Sequence, residues 1–282
     1  EKHVPGTFCY AELATSDPQA GGTFYQEIFG WDRRDDDMGD FGVYTQFLKD
    51  GRVTAAMYKL TPDQTSQGAP PAWGQYITVE DTDAAASRAV ELGGALLMGP
   101  ADVMDFGRMA VLRDPTGAVF CVWQPGTHCG VEVRDEAGTM CWNELLTRDP
   151  ATAAAFYSEL VGWTIKTEEF VGQPYTLGFV GDNHAAGMLA MPDEVPAEVP
   201  AHWLIYFEVA GCDDTVARVK ERGGRQPVAP RDLPGVGRFA SRASMKLRPW
   251  RSCSPHHCGR ARAKSNRPQP NSHHQGWLGL CS

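Results

Sequence analysis

Apolar and polar side chains alternate over residues 8–13, the period of a strand with one buried face. Asp17-Pro18 follows, an N-cap residue and a proline at the first helical position. The helix predicted from there carries Phe24, Tyr25 and Ile28, and Gly30 ends it. Residues 31–34, 41–48 and 52–59 read as three strands. Residues 60–71, rich in proline and polar side chains, read as a connector. A second unit then begins with a strand over 73–79, a helix capped by Asp81 that runs to Leu92, and a stop at Gly93. Strands over 95–98, 108–113 and 119–124 complete it. The turn Asp114-Pro115-Thr116-Gly117 joins the last two as a hairpin. The pattern is βαβββ, written twice.

The whole of it then recurs. Residues 9–31 and 141–163 align at an offset of 132 with eleven of 23 positions identical, among them Glu12/Glu144, Asp17/Asp149, Phe24/Phe156, Tyr25/Tyr157 and Trp31/Trp163. At an offset of 130 follow Trp73/Trp203, Tyr76/Tyr206, Val79/Val209, Gly93-Gly94/Gly223-Gly224 and Gly107-Arg108/Gly237-Arg238. A period this long means duplicated domains rather than a solenoid. The expected layout is a first domain over 6–125, a linker over 126–137 and a second domain over 138–240. The fold class is α+β.

Composition changes this picture at one end. The net charge of −9 is uneven: residues 241–282 hold eight Lys and Arg and no acidic residue, so the body carries all 35 Asp and Glu. An acidic body argues against a nucleic-acid partner, which needs a positive surface. No apolar run approaches the roughly 20 residues needed to span a bilayer, so no membrane partner is expected. Residues 1–6 lack a charged-then-apolar leader pattern. Eight cysteines without paired short spacings point to reduced thiols and a cytoplasmic setting.

Asp17-Pro18, Phe24-Tyr25, Gly30-Trp31 and the closing Arg113-Asp114-Pro115-Thr116-Gly117, with Asp149-Pro150, Phe156-Tyr157 and Gly162-Trp163 in the second copy, resemble the vicinal oxygen chelate superfamily. That family includes glyoxalase I, extradiol dioxygenases, fosfomycin-resistance enzymes and bleomycin-binding proteins. The resemblance covers about residues 6–125 and 138–240. It implies two tandem domains, each a pair of βαβββ modules curling a mixed sheet into an open cup for a small molecule, often with a divalent metal. Metal-dependent members place His, Gln or Glu on the first, fifth and last strands, because the ion needs N or O donors at about 2.0–2.2 Å. Those positions here are Tyr10, Gly74 and Cys121, with Trp142 and Leu204 in the second copy. Neither copy keeps a ligand triad, so no metal or other cofactor is expected.

Strand alternation gives the inward face of each cup. The first presents Tyr10, Glu12, Gly74, Tyr76, Cys121 and Trp123, and the second Trp142, Glu144, His202, Leu204, Tyr206 and Glu208. The outward set, Cys9, Ala11, Leu13, Ile77 and Val79 with Phe207 and Val209, is apolar and suits packing under helices. Aromatic side chains on the inner faces either stack on a planar or cationic ligand or fill the interior. Glu12 and Glu144 are the catalytic candidates, since an inward carboxylate with a raised pKa serves as a general base. The competing reading is a structural ion pair with Arg108 or Arg238. Cys121 is either a thiol nucleophile or buried filler. His184 and His202 are lone histidines.

Homology between the copies stops after Ala240, where acidic residues vanish and Arg, Ser, His and Pro rise. A reading-frame shift produces such a break. The alternatives are a natural basic tail, or a metal site using Cys253, His256, His257, Cys258, His273 and His274. On either of the first two readings the second cup lacks its closing hairpin, and residues 256–282 stay disordered or loosely draped. Three functions follow: a metal-free small-molecule-binding protein, a metal-dependent glyoxalase-like lyase or dioxygenase, or a catalytically silent scaffold. A monomer with internal pseudo-twofold symmetry and a small organic ligand, aromatic or cationic, is expected.

Overall fold

Asp17 and Asp149 set the start of the two longest helices, each accepting from a backbone N–H three residues on, Ala20 and Thr152, at 3.0 Å. Gly30 and Gly162 end them in the left-handed conformation at φ 70° and 74°, which costs a residue without Cβ nothing. The computed structural model describes residues 2–39, 42–66, 68–225, 229–233, 237–241 and 278–281. Its first half runs β1 (Phe8–Thr15), α1 (Pro18–Phe29), β2 (Asp32–Asp37), β3 (Val43–Lys49), β4 (Arg52–Lys59), α2 (Pro62–Ser66), β5 (Ala72–Thr78), α3 (Thr82–Glu91), β6 (Ala95–Val103), β7 (Gly107–Arg113) and β8 (Val119–Pro125). The second runs β9 (Met140–Thr147), α4 (Pro150–Val161), β10 (Thr164–Phe170), β11 (Gln173–Val180), β12 (Asn183–Ala190), β13 (His202–Glu208), α5 (Cys212–Glu221), β14 (Arg231–Leu233), β15 (Gly237–Ser241) and β16 (Leu278–Cys281).

Each half is one open, mixed, eight-stranded sheet. The orders are β2-β3-β4-β1-β5-β8-β7-β6 and β10-β11-β12-β9-β13-β16-β15-β14, the same path twice. The first strand of each half lies parallel to the fourth and antiparallel to the fifth, which places β1 and β9 centrally. The outward residues Cys9, Ala11, Leu13, Ile77 and Phe207 are buried to within 1 % exposure, as the alternation requires.

The halves share one core. Phe207 meets Phe29, Trp31 and Trp73 of the first half at ring distances of 5.0–5.5 Å, and Phe8 meets Trp203 of the second at 4.9 Å. The indole N–H of Trp31 donates to the Gly138 carbonyl at 2.6 Å, and that of Trp163 to the Gly6 carbonyl at 2.7 Å. The repeated Gly-Gly borders this seam, although a Cβ would first meet its own half: the Arg113 and Ala89 carbonyls at 2.7 and 2.9 Å for Gly94, and the Val219 side chain and carbonyl at 2.6 and 2.8 Å for Gly224. A Cβ on Gly94 would stand 3.1 Å from the Phe156 ring, and one on Gly224 3.2 Å from the Phe24 ring. Tyr157 of α4 also donates to the buried Asp114 carboxylate of the Asp-Pro-Thr-Gly turn at 2.9 Å.

The linker over 126–137 is a packed strap: Val131 and Val133 are buried, and the Val131 N–H donates to the Cys9 carbonyl at 2.8 Å. One expectation needs correction. The second sheet keeps an eighth strand. β16 lies between β13 and β15, parallel to the first and antiparallel to the second, with Tyr206 opposite Gly279 and Ala240 opposite Leu280. The sequence there, Leu-Gly-Leu-Cys, is an uncharged run in a basic tail. Backbone pairing asks only for a strand without charge on its buried face. Ser241 ends β15; residues 242–277, which hold the rest of the stretch 241–255 where the closing hairpin is expected to be missing and the Cys/His cluster, lie outside the described residues.

Candidate functional site: two carboxylate-floored cups

β1 carries Glu12 across the middle of the first sheet, opposite Gly74 on β5 and Ala56 on β4. Two small neighbours leave room above it for aromatic side chains from farther off. Tyr44 of β3 donates to Glu12 Oε1 at 2.6 Å, and Tyr76 of β5 donates to Oε2 at 2.7 Å. Tyr10 Oη lies 3.2 Å from Tyr44 Oη. The single Tyr44 proton is spent on Glu12, so Tyr10 is the donor to Tyr44. The wire runs Tyr10 to Tyr44 to Glu12, with Tyr76 closing from the other side.

The second cup repeats it. Glu144 of β9 stands opposite Leu204 on β13 and Gly187 on β12. Tyr175 of β11 donates to Glu144 Oε2 at 2.8 Å and Tyr206 to Oε1 at 3.1 Å. Trp142 takes the place of Tyr10, its indole donating to Tyr175 Oη at 3.0 Å. An indole can only donate, so the direction of this wire is fixed. A Cβ on Gly187 would overlap the Tyr175 hydroxyl, so the glycine is what lets the ring lie across β12.

Burial pushes the Glu12 carboxyl up, and the bonds from Tyr44 and Tyr76 pull it back only in part. Glu144 behaves alike, with Arg231 as a further opposing influence. Burial and then the Glu12 charge push up Tyr44, Tyr76 and, to about 12, Tyr58 of β4. The same two causes raise the Cys121 thiol, which therefore stays protonated and is no nucleophile near neutrality.

The ion-pair reading of the two glutamates is overturned. Arg108 binds Asp83 and Asp102, and Arg238 binds Asp213 and Asp232, all away from the cups. Cys121 lies opposite Tyr76, and the Trp123 ring is 6.4 Å from that of Tyr76. His202 begins β13 with Nδ1 2.9 Å from the Pro200 carbonyl, and Glu208 ends it with its backbone paired to Gly138 and Thr139. No hydrogen bond joins either to the Glu144 wire among the described contacts. Three contributors were not in the sequence reading. Tyr44 and Tyr175 align with each other at an offset of 131, which was the available signal. His128, on the strap, packs its ring 5.0 Å from Tyr10, and burial holds its pKa down.

A divalent ion fits these residues poorly. Among the described residues no three His, Cys, Asp or Glu converge. Each floor offers one carboxylate whose two oxygens already accept phenol protons, ringed by neutral hydroxyls and, in the first cup, a protonated thiol.

An open mixed sheet built from paired βαβββ modules is the fold of a known superfamily, and sequence comparison agrees. Residues 7–122 match the Glyoxalase/Bleomycin resistance protein/Dioxygenase superfamily, and residues 140–240 match the Glyoxalase-like domain. The chain belongs to this superfamily, in tandem form. It is 40% identical over 237 residues to "Putative glyoxylase CFP32" of Mycobacterium tuberculosis, covering 83% of this chain and 89% of that protein. It is 33% identical over 243 residues to "Anthracycline biosynthesis protein DnrV" of Streptomyces peucetius, covering 83% and 88%. Among solved structures, the Mn(II)-bound glyoxalase from Novosphingobium aromaticivorans superposes with a TM-score of 0.57 at 14% identity, covering 84% of this chain and 78% of that one. The 2,2',3-trihydroxybiphenyl 1,2-dioxygenase of Sphingomonas wittichii gives 0.55 at 12%, covering 84% and 86%. These two likenesses speak to fold alone. Among the described residues no helix is long and apolar enough to cross a membrane.

Proposed function

We propose that the protein is a metal-independent small-molecule-binding member of the superfamily, with one ligand cup in each half. The observation that carries this is the pair of tyrosine-clasped glutamates, Glu12 and Glu144, surrounded by aromatic side chains where metal ligands stand in metal-dependent members. Each carboxylate oxygen keeps a second lone pair, so each floor can accept a hydrogen bond or proton from a ligand. Tyr10, Tyr76, Cys121 and Trp123 form the contact surface of one cup. Trp142, His202, Tyr206 and Glu208 contribute to the other. A planar aromatic ligand suits these walls, and the relative named for anthracycline biosynthesis supports that class.

The test pairs metal analysis with binding. Purified protein should lose its divalent metal on dialysis against chelator, and still quench its tryptophan fluorescence with an anthracycline afterwards. Stoichiometric Zn, Mn, Fe or Ni that survives dialysis and disappears in Glu12→Gln would overturn the proposal. A second reading, a metal-dependent lyase or dioxygenase, draws on the relative named glyoxylase. It requires that metal result together with turnover of a hemithioacetal or a catechol.

A further inference from the structure

The two cups share their floor but not their rim. Strand register makes the comparison direct. Met109 lies opposite Ala101 in the β6–β7 ladder of the first half, and Phe239 lies opposite Arg231 in the corresponding β14–β15 ladder. The second cup therefore carries an arginine and an aromatic ring where the first carries alanine and methionine. Phe239 packs with Leu204 and Tyr206, both residues of the inner face. The Arg231 guanidinium lies over its ring at 4.8 Å.

The opposite wall differs too. Arg34 of the first cup is held by Asp36 at 3.7 Å and by Gln46. Its equivalent at an offset of 132 is Lys166, whose register partner is Leu177 in place of Gln46. Lys166 Nζ sits over the Phe179 ring at 4.6 Å. Among the described residues neither Arg231 nor Lys166 has an ion-pair partner, while the neighbouring Arg238 is bound by two aspartates. Glu144 lies on β9 between them, and its oxygens accept from Tyr175 and Tyr206. The field of Arg231 reaches it.

We propose that the second cup is an oxyanion site, in which Arg231 over Phe239 receives the carboxylate, or an equivalent planar oxyanion, of an aromatic ligand whose ring enters the cup. A guanidinium lying over an aromatic ring keeps its N–H edge free for a bidentate carboxylate. Lys166, on β10 at the other edge of the same sheet, adds a second positive charge. The first cup lacks both features and does not share this preference. The inference rests on the reading of the cups as ligand sites.

The test uses the full chain and three probes of one shape: 4-fluorobenzoate, neutral 4-fluorobenzyl alcohol and 4-fluorobenzylammonium, followed by fluorine NMR titration. The expected result is that 4-fluorobenzoate binds at least about tenfold more weakly to Arg231→Leu than to the parent, while the alcohol is unaffected. Arg231 is exposed, so the variant should keep the parent's melting temperature. Benzoate binding that Arg231→Leu does not weaken, or a stronger response to the ammonium than to benzoate in the second cup, overturns the oxyanion site while the cups stand as ligand sites. Failure of all three probes to bind overturns both.

Discussion

A carboxyl group on the floor of a half-closed cup favours its neutral form, and Tyr44 and Tyr76 pull the other way. Burial wins at both Glu12 and Glu144, so each is raised above the ordinary carboxylate value. The folded chain then holds protons that the unfolded chain releases. That contribution to stability is complete below the ordinary carboxylate pKa and is lost as pH rises through the folded values. Glu12→Gln should therefore gain in melting temperature relative to the parent between pH 5 and pH 8. Calorimetry showing a constant gap would refute the assignment. Tyr44→Phe should cost about 2 kcal/mol at pH 8, where it strips a donor from a carboxylate, and clearly less at pH 5. The glutamates were legible in the sequence because duplication printed them twice at the same place. Tyr44 and Tyr175 were not, because β3 and β11 each carry a register shift, at Phe47/Leu48 and at Gly178/Phe179. One irregular residue moves a counted face to the other side. His128 lies in the strap, which has no described repeat partner against which to be read.

At the scale of the element, caps and turns spoke most clearly. Asp149→Ala should lower stability by about 1 kcal/mol through the loss of its bond to Thr152, read as a shift in denaturant midpoint at unchanged slope. Gly187→Ala should act on one cup only. Its Cβ forces Tyr175 off Glu144 at a cost of about 1–3 kcal/mol, and the Trp142 fluorescence should change while Trp123 reports nothing. Other elements were less legible for physical reasons. β2 reads Asp-Arg-Arg-Asp-Asp-Asp, with no apolar alternation, and is a strand because β3 pairs along its whole length. α5 starts at Gly211 without a side-chain cap, so its helix signal is the buried Val216 and Val219 together with Asp213 and Asp214 in the first turn and Arg218 and Lys220 in the last. β16 takes its place through tertiary pairing that no local pattern announces.

For the whole molecule, the shared core makes the halves one folding unit. Trp163 is buried at 1 % exposure and bonded across the seam to Gly6. Trp163→Phe should cost about 3 kcal/mol from lost volume and an unpaired carbonyl. The loss should appear in both cups at once, as a single transition followed by Trp123 and by Trp142. Two separate transitions would show that the seam does not couple them. The two sheets of like strand order were readable from the repeat. The coupling was not, because Phe24 and Gly224, like Phe156 and Gly94, stand roughly 60–200 residues apart and no pattern in one helix points to the turn after another.

Those four residues form a reciprocal pair: the Phe of each copy packs on the second Gly of the other. That is the form of an isologous interface, in which one patch meets its own image. A chain holding a single copy, with both the Phe and the Gly, carries everything needed to build this seam by pairing with itself. Fusion of two such copies ties the partners together and frees each from the other's sequence. A substitution in a self-paired ancestor alters both sites together. In this chain the equivalent positions hold Ala101 in one half and Arg231 in the other, a difference that a self-paired single copy could not carry.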